Sequence, residues 1–457
     1  MNTMKRFSQR LRSIVERDQE SGLGLIEVVV AMMVFTLISL GVAATITNSL
    51  LLTRDGRART AAANLIAQDL DLQRSITDVF AVQSKTWDVT LQGLTYHVVR
   101  TVAWNTSSTA TSACGSGTGT LQFKTVRDNV TWDGQRGTGS VSSATVLAPN
   151  SRINDPSLGT IIVAVTGANG AGLPGVNVTI APTASNSNGA AAVATPAATD
   201  ANGCTYALKV KPGNYQVSIA KANGIDINQV ANPTFTPAVA VAGSATTVPF
   251  TYDSAAKLTL KYASNYKNTA ALPTDLDLTF NSTTGGIDTF KPGATNPVSL
   301  FPFSSYTYEA GALVPSGLTD ANNAPIKSCL NVDPANWTAK NSAGVAGASF
   351  PTGASAGAAA TVNIPMGVVK LPDASGITGI IATSVNSTAN GDPGCQTAVQ
   401  YTFAAAAGAP VIALPFGTWK FATLGGLLGI TPAANAIQTG GTVSGANVTL
   451  DPRGVTP

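Results

Sequence analysis

The chain holds 457 residues, enough for about two to four domains rather than a single core. Charged residues make up only 11% and the formal net charge is +3, so no overall field recommends a nucleic-acid partner. With 44 Gly and 25 Pro the composition is turn-rich, which suits secreted β modules better than a helical enzyme.

Residues 1–22 are polar and carry Lys5, Arg6, Arg10, Arg12 and Arg17. An apolar run, LGLIEVVVAMMVFTLISLGVAATITNSLLL, follows over Leu23–Leu52. No charge interrupts it from Val28 onward, and a helix needs only about 20 such residues to cross a bilayer. The basic residues ahead of the run predict a cytoplasmic N-terminus, with the rest of the chain outside. Glu27 does not suit a plain anchor, because a carboxylate at membrane depth is costly and points to a function. An ordinary secretory signal is cut after its apolar stretch at small residues, whereas here the small residue, Gly22, lies in front of it. Arg54, Arg57 and Arg59 come directly after the run and read as a membrane-edge or filament-packing feature.

Ser21-Gly22-Leu23-Gly24-Leu25-Ile26-Glu27 resembles the class III signal of type IV prepilins and pseudopilins: a Gly, then an apolar run with Glu at its fifth position. That family has an aromatic first residue and Thr or Ser second, where this chain has Leu23 and Gly24. The resemblance implies cleavage between Gly22 and Leu23 by prepilin peptidase and N-methylation of Leu23. It also implies a charge pair between Glu27 and the terminal amine of a neighbouring subunit, which fits the rule that a desolvated charge is tolerated only when paired. Implied partners are other pilin subunits, the pilus assembly platform and, before assembly, the membrane through Leu23–Leu52.

After Leu52, TRDGRARTAAANLIAQDLDLQRSITDVF predicts that the helix continues, with Ala62, Leu65, Ile66, Asp69, Leu70 and Gln73 at helical spacings. Gly56 weakens one turn. Between residue 86 and about 149 the segments TWDVTL, LTYHVVRTVAW, LQFKTVRDNVTW and SVSSATVLAP alternate apolar with polar and predict an antiparallel sheet. Thr131-Trp132 and Thr145-Val146-Leu147-Ala148-Pro149 resemble the closing strands of minor pilins of the PilV-like kind.

SRINDPSLG reads as a linker, and a new module starts at Gly159. Its segments Leu173-Pro174-Gly175-Val176-Asn177-Val178, Thr199-Asp200-Ala201-Asn202-Gly203 and Pro212-Gly213-Asn214-Tyr215-Gln216-Val217 resemble the prealbumin-like β-sandwich of carboxypeptidase regulatory domains and collagen-adhesin B-type repeats. Each segment also has a local reason, since Pro-Gly sets a turn and Asp-x-Asn-Gly supplies left-handed backbone. KLTLKYASNY with LFPFSSYTYEAG, and MGVVKLPDASGITGIIATSV with ALPFGTWKFATLGG, echo the opening and Pro-x-x-Tyr strands twice more. SAGVAGASFPTGASAGAAA reads as a low-complexity loop.

The expected fold class is α+β: a long N-terminal pilin helix on a small antiparallel sheet, then tandem all-β sandwiches. The expected divisions are a leader (1–22), a transmembrane or filament-core helix (23–52), a pilin-like globular domain (53–157), and sandwiches at 158–254, 255–365 and 366–457.

The four cysteines form no CxxC pair, which argues against zinc or thioredoxin-like chemistry. In an exported region they allow two disulfides in three pairings, of which Cys329–Cys395 is favoured because the two bracket one segment near the C-terminal module. Gly353-Ala354-Ser355-Ala356-Gly357 matches a nucleophile elbow, but it sits in an Ala/Gly tract, and the one histidine, His97, lies far upstream in a strand. Asp200 and Asp320 are calcium-ligand types in loops, with turn formation the better reading. Some adhesin B-type repeats cross-link a strand Lys to an Asn; the first strand, Thr160–Val165, has no Lys, and Lys257 or Lys261 leaves the bond open in the second module. The tail, DPRGVTP, shows no sorting motif and no second apolar anchor.

The expectation is therefore a non-enzymatic minor pilin, suited by its size to a low-copy or tip position, with no catalytic, cofactor or metal residues and no nucleic-acid partner. Its sandwiches would bind a surface or host ligand. A pseudopilin of a type II secretion system and a fixed single-span surface enzyme or receptor stand as alternatives.

Overall fold

The computed structural model describes residues 24–106, 111–115, 120–134, 139–149, 153, 155–290, 296–373, 375–404, 408–424 and 428–456. The leader and the Gly22–Leu23 junction lie outside them. The architecture is α+β, one long N-terminal helix followed by antiparallel sheets and β-sandwich modules. Residues 1–102 with 124–150 make one compact unit, and residues 103–123 with 151–457 make a second. The stretch 103–123, expected from sequence within 53–157, thus counts with the sandwiches.

In the first unit, helix α1 (Leu25–Ser75) runs unbroken through Gly56 for 51 residues. It ends earlier than the helical spacing suggested, and a 3₁₀ turn at Val79–Ala81, capped by the Asp78 carboxylate, follows it. Among the described residues, the second half of α1 is the part that packs on protein. Ala58, Ala62, Ile66 and Leu70 recur at four-residue intervals, so one face meets Val98, Val102, Val126 and Val130 of the sheet. That sheet is built from β1 (Lys85–Leu91), β2 (Leu94–Thr106), β4 (Leu121–Trp132) and β5 (Val141–Leu147) in this order, with the short β3 (Thr111–Ser112) on β2. Alternate residues of β4, Lys124 to Trp132, are buried, as period-2 geometry requires.

The second unit opens with β6 (Gly159–Thr166), β7 (Asn177–Pro182), β8 (Cys204–Val210), β9 (Gly213–Ala220), β10 (Gly224–Asp226), β11 (Thr234–Ala240) and β12 (Ala245–Ser254). They form sheets β10-β12-β6-β8 and β11-β9-β7, closed over Ile161, Val163, Val178, Tyr215 and Val217. Strand β12 pairs with β6 in parallel, while the other pairings are antiparallel. Gly203 at φ 75° shows why the Asp-x-Asn-Gly turn ends in glycine, because a Cβ there would stand 2.1 Å from the Val165 carbonyl. Trp104 Nε1–H donates to the Tyr206 hydroxyl at 2.9 Å, and Cys114 is bonded to Cys204.

Next come β13 (Ala256–Tyr262), β14 (Leu278–Ser282), β15 (Gly286–Phe290), β16 (Val298–Leu300), β17 (Tyr306–Ala310), β18 (Pro351–Thr352) and β19 (Ala359–Ile364), in sheets β16-β13-β19 and β15-β14-β17-β18. The low-complexity stretch is mostly loop but contributes β18 and the first residues of β19. The last set is β20 (Gly367–Lys370), β21 (Gly379–Ser384), β22 (Gln400–Ala404), β23 (Val411–Leu414), β24 (Gly417–Thr423), β25 (Gly429–Ile430), β26 (Gly441–Ser444) and β27 (Asn447–Leu450). Its sheets are β20-β23 and β22-β21-β24-β27-β26, with β25 on β24.

These last two strand sets share one continuous apolar core, reaching from Leu258 and Phe280 to Trp419 and Leu450. The Cys329–Cys395 disulfide also joins them. Arg453 closes the region: its guanidinium donates to the carbonyls of Ala339 and Asn390, pairs with Asp451, and stacks 5.4 Å from the Trp337 ring. The repeated aromatic has one structural role in all three strand sets. Tyr215 donates its hydroxyl to the Lys211 carbonyl, Tyr306 to that of Phe301, and Trp419 its indole N–H to that of Pro415. Each thereby buries a large ring while satisfying its polar atom.

Candidate assembly helix and buried polar groups

The N-terminal half of α1 is an apolar rod without a partner among the described residues. Leu25 is 84% exposed and Leu52 70%, and the residues between them are exposed apart from partly covered Leu51. A run of this size on one helix needs a second apolar phase, either lipid or other helices. It is the one helix among the described residues long and apolar enough to cross a membrane. Thr36, Thr45, Thr47 and Thr53 return their hydroxyls to the carbonyls four residues earlier, which satisfies them inside the helix. Glu27 stands in the first turn, beyond the extended Gly24 that precedes the helix, as the acidic residue of that turn.

Behind the packed half of α1 lies a buried charge cluster. Arg100 holds both oxygens of Asp69 at 3.0 Å and donates to the Gln83 carbonyl. Asp128 is fully buried on β4, and its oxygens meet no donor of normal geometry. Burial first, and then the neighbouring Asp69 carboxylate, raise its pKa well above the carboxylate range, opposed by Arg100. The alternating apolar pattern of β4 hides this cluster from sequence reasoning; the one available signal is an acid at a core-facing strand position.

The sequence-selected polar residues resolve as follows. His97 is on β2, exposed, and bonded through Nδ1 to Asp88 at 2.7 Å and through Nε2 to Asp133 at 3.3 Å. Hydrogen bonds donated to Asp88 and then Asp133 raise its pKa above the usual histidine value. Ser355 lies in the loop between β18 and β19, with no helix after it. Asp200 accepts from the backbone N–H groups of Asn202 and Cys204, and Asp320 from those of Asn322 and Ala324, so both act as turn formers. Among the described residues no three His, Cys, Asp or Glu side chains converge as metal ligands.

Lys261 stands in register with Asn363 across the parallel pair β13–β19, but both side chains are on the exposed face, as is Lys257. Among the described residues of this strand set, the lysine and asparagine that share a register thus face outward rather than into the core.

No protein-family model matches the chain, and no curated protein matches it. Weak likenesses to solved structures exist. The Bacillus anthracis TIE protein is 11% identical, over 85% of this chain and 76% of that one, at a TM-score of 0.19. A streptococcal ancillary pilin is 10% identical, over 58% and 92%, at 0.17. The D312A form of BcpA, the major pilin subunit of Bacillus cereus, is 12% identical, over 64% and 95%, at 0.17. At TM-scores of this size the likeness carries no argument about fold or assembly.

Proposed function

We propose that this chain is a pilin-like subunit of a surface filament, held first in the membrane and then among other subunits by the apolar segment Leu23–Leu52. In this reading prepilin peptidase cuts between Gly22 and Leu23, Leu23 is N-methylated, and Glu27 pairs with the terminal amine of a neighbouring subunit. The sandwiches at 158–254, 255–365 and 366–457 are displayed outside the cell for adhesion or protein interaction. The carrying observation is the exposed apolar half of α1 with its one carboxylate, Glu27, near the start. Two apolar phases suit such a helix in turn, and a buried acid is tolerated in the second only with a cation beside it.

Mass spectrometry of the N-terminus in sheared surface filaments tests the reading. Methylated Leu23 is the expected terminus; recovery of the chain with Met1–Gly22 attached, in membranes and absent from fibres, overturns it. A Glu27→Ala variant should enter filaments about a hundredfold less well, the equivalent of about 3 kcal/mol for a buried amine left unpaired. Normal incorporation of that variant removes the pairing role.

A further inference from the structure

We propose that the cleft between the second half of α1 and strands β1–β2 binds a small ligand carrying a carboxylate on a ring with an apolar face. The cleft has a volume of about 330 Å³. That is the lower end of the range for small-molecule sites and fits one ring with a substituent. Leu65 and Leu72 from the helix and Val98 from β2 form its apolar wall, Trp87 from β1 adds a half-buried indole, and Gln68 adds an amide.

The charge pattern sets the ligand class. Lys85 stands directly opposite Arg100 across the β1–β2 ladder. Like charges at such positions repel and weaken a sheet. Arg100 is neutralised by Asp69, but Lys85 has no carboxylate within ion-pair distance among the described residues. Its ammonium instead lies 5.6 Å from the Trp87 ring, with the Arg100 guanidinium 5.5 Å from the same ring. The cleft thus offers one uncompensated cation beside an aromatic and an aliphatic wall. A carboxylate pairs with Lys85 through a charge-assisted hydrogen bond, and a ring held by it lies against Leu65, Leu72 and Val98. Asp69, already committed to Arg100, does not repel the ligand's charge. A sugar acid and an aromatic acid share this chemistry. The inference stands on the first unit alone and is independent of filament assembly.

Isothermal titration of the full-length chain in detergent with glucuronate, benzoate and glucose tests it. At least one acid should bind saturably below about 10 mM, glucose should not, and the acid that binds identifies the source. Lys85→Gln should weaken binding about tenfold, as expected for loss of one charge-assisted hydrogen bond. Lys85 is exposed and stands opposite Arg100, so this variant unfolds at or above the parent's thermal midpoint; Trp87→Leu, checked for folding in the same way, should weaken binding as well. No saturable binding by either acid, equal binding of glucose, or unchanged affinity in Lys85→Gln would each overturn the proposal.

Discussion

A Cys329→Ala/Cys395→Ala double variant is expected to lose about 4 kcal/mol of stability in the second unit, the chain-entropy value for a loop with this separation of 66 residues. Both cysteines are buried, against Leu313 and Val332, and their backbones pair as an isolated antiparallel bridge. The bond ties the segment after β17 to the segment before β22, so it clips the two strand sets that share one core. Alanine keeps each Cβ and leaves the space of two sulfur atoms, so a small cavity cost adds to the entropy released to the unfolded chain. Urea unfolding followed by the fluorescence of buried Trp337 and Trp419 measures the loss. A change of less than about 1 kcal/mol would mean that the shared core holds these segments without the bond.

Glu309→Gln should make the second unit more stable in alkaline solution and remove part of its pH dependence. Glu309 is 3% exposed, and neither carboxylate oxygen meets a donor of normal geometry. Burial, then the charge of Asp333, push its pKa up to about 8, with the nearby Thr307 hydroxyl opposing slightly. The sign follows from proton linkage. Below the ordinary carboxyl value both folded and unfolded chains are protonated and stability is complete. As pH rises through that value the unfolded chain ionises and the folded one does not, so stability falls until about pH 8, where the folded group also ionises. The loss is on the order of 5 kcal/mol. Asp392 is shifted upward mainly by burial and changes parent and variant alike, whereas Asp333 acts on Glu309 through its charge, so the difference between the two curves reports Glu309 together with its coupling to Asp333. Parallel stability curves for the two proteins between pH 5 and pH 9 would show that Glu309 stays ionised and solvated in the fold.

Much of the local architecture is legible in the chain itself. The uncharged run after Glu27 can only be a helix if it is to hide its backbone in an apolar phase. The alternation in LQFKTVRDNVTW marks a half-buried strand, seen as β4, because side chains on a strand point to opposite faces in turn. Asp200 and Gly203 form the expected turn because carboxylate-to-amide bonding and left-handed backbone act within four residues. The repeated Tyr215, Tyr306 and Trp419 are visible for the same reason: each makes its hydrogen bond within five residues along the chain.

The candidate cleft and the buried acids were not legible. Alternation places Glu309 on the face of β17 opposite Tyr308, which in an isolated strand faces water; here that outer face is covered too. Lys85 and Arg100 meet only because the Gln92-Gly93 turn sets the β1–β2 register, with Leu91 opposite Leu94. Asp69 reaches Arg100 only once the helix has packed on that sheet.

By itself, then, the sequence determined the element types, the turns and the apolar segment that must leave water, since all of these follow from sterics, periodicity and transfer free energy acting within a few residues. Tertiary structure alone decided that β6 lies parallel to β12 and β13 to β19, that Cys114 joins Cys204, and that the last two strand sets close over one core. Those pairings link residues far apart in the chain, where no local preference operates. They are selected by whichever register buries the most apolar surface for the loop entropy it costs.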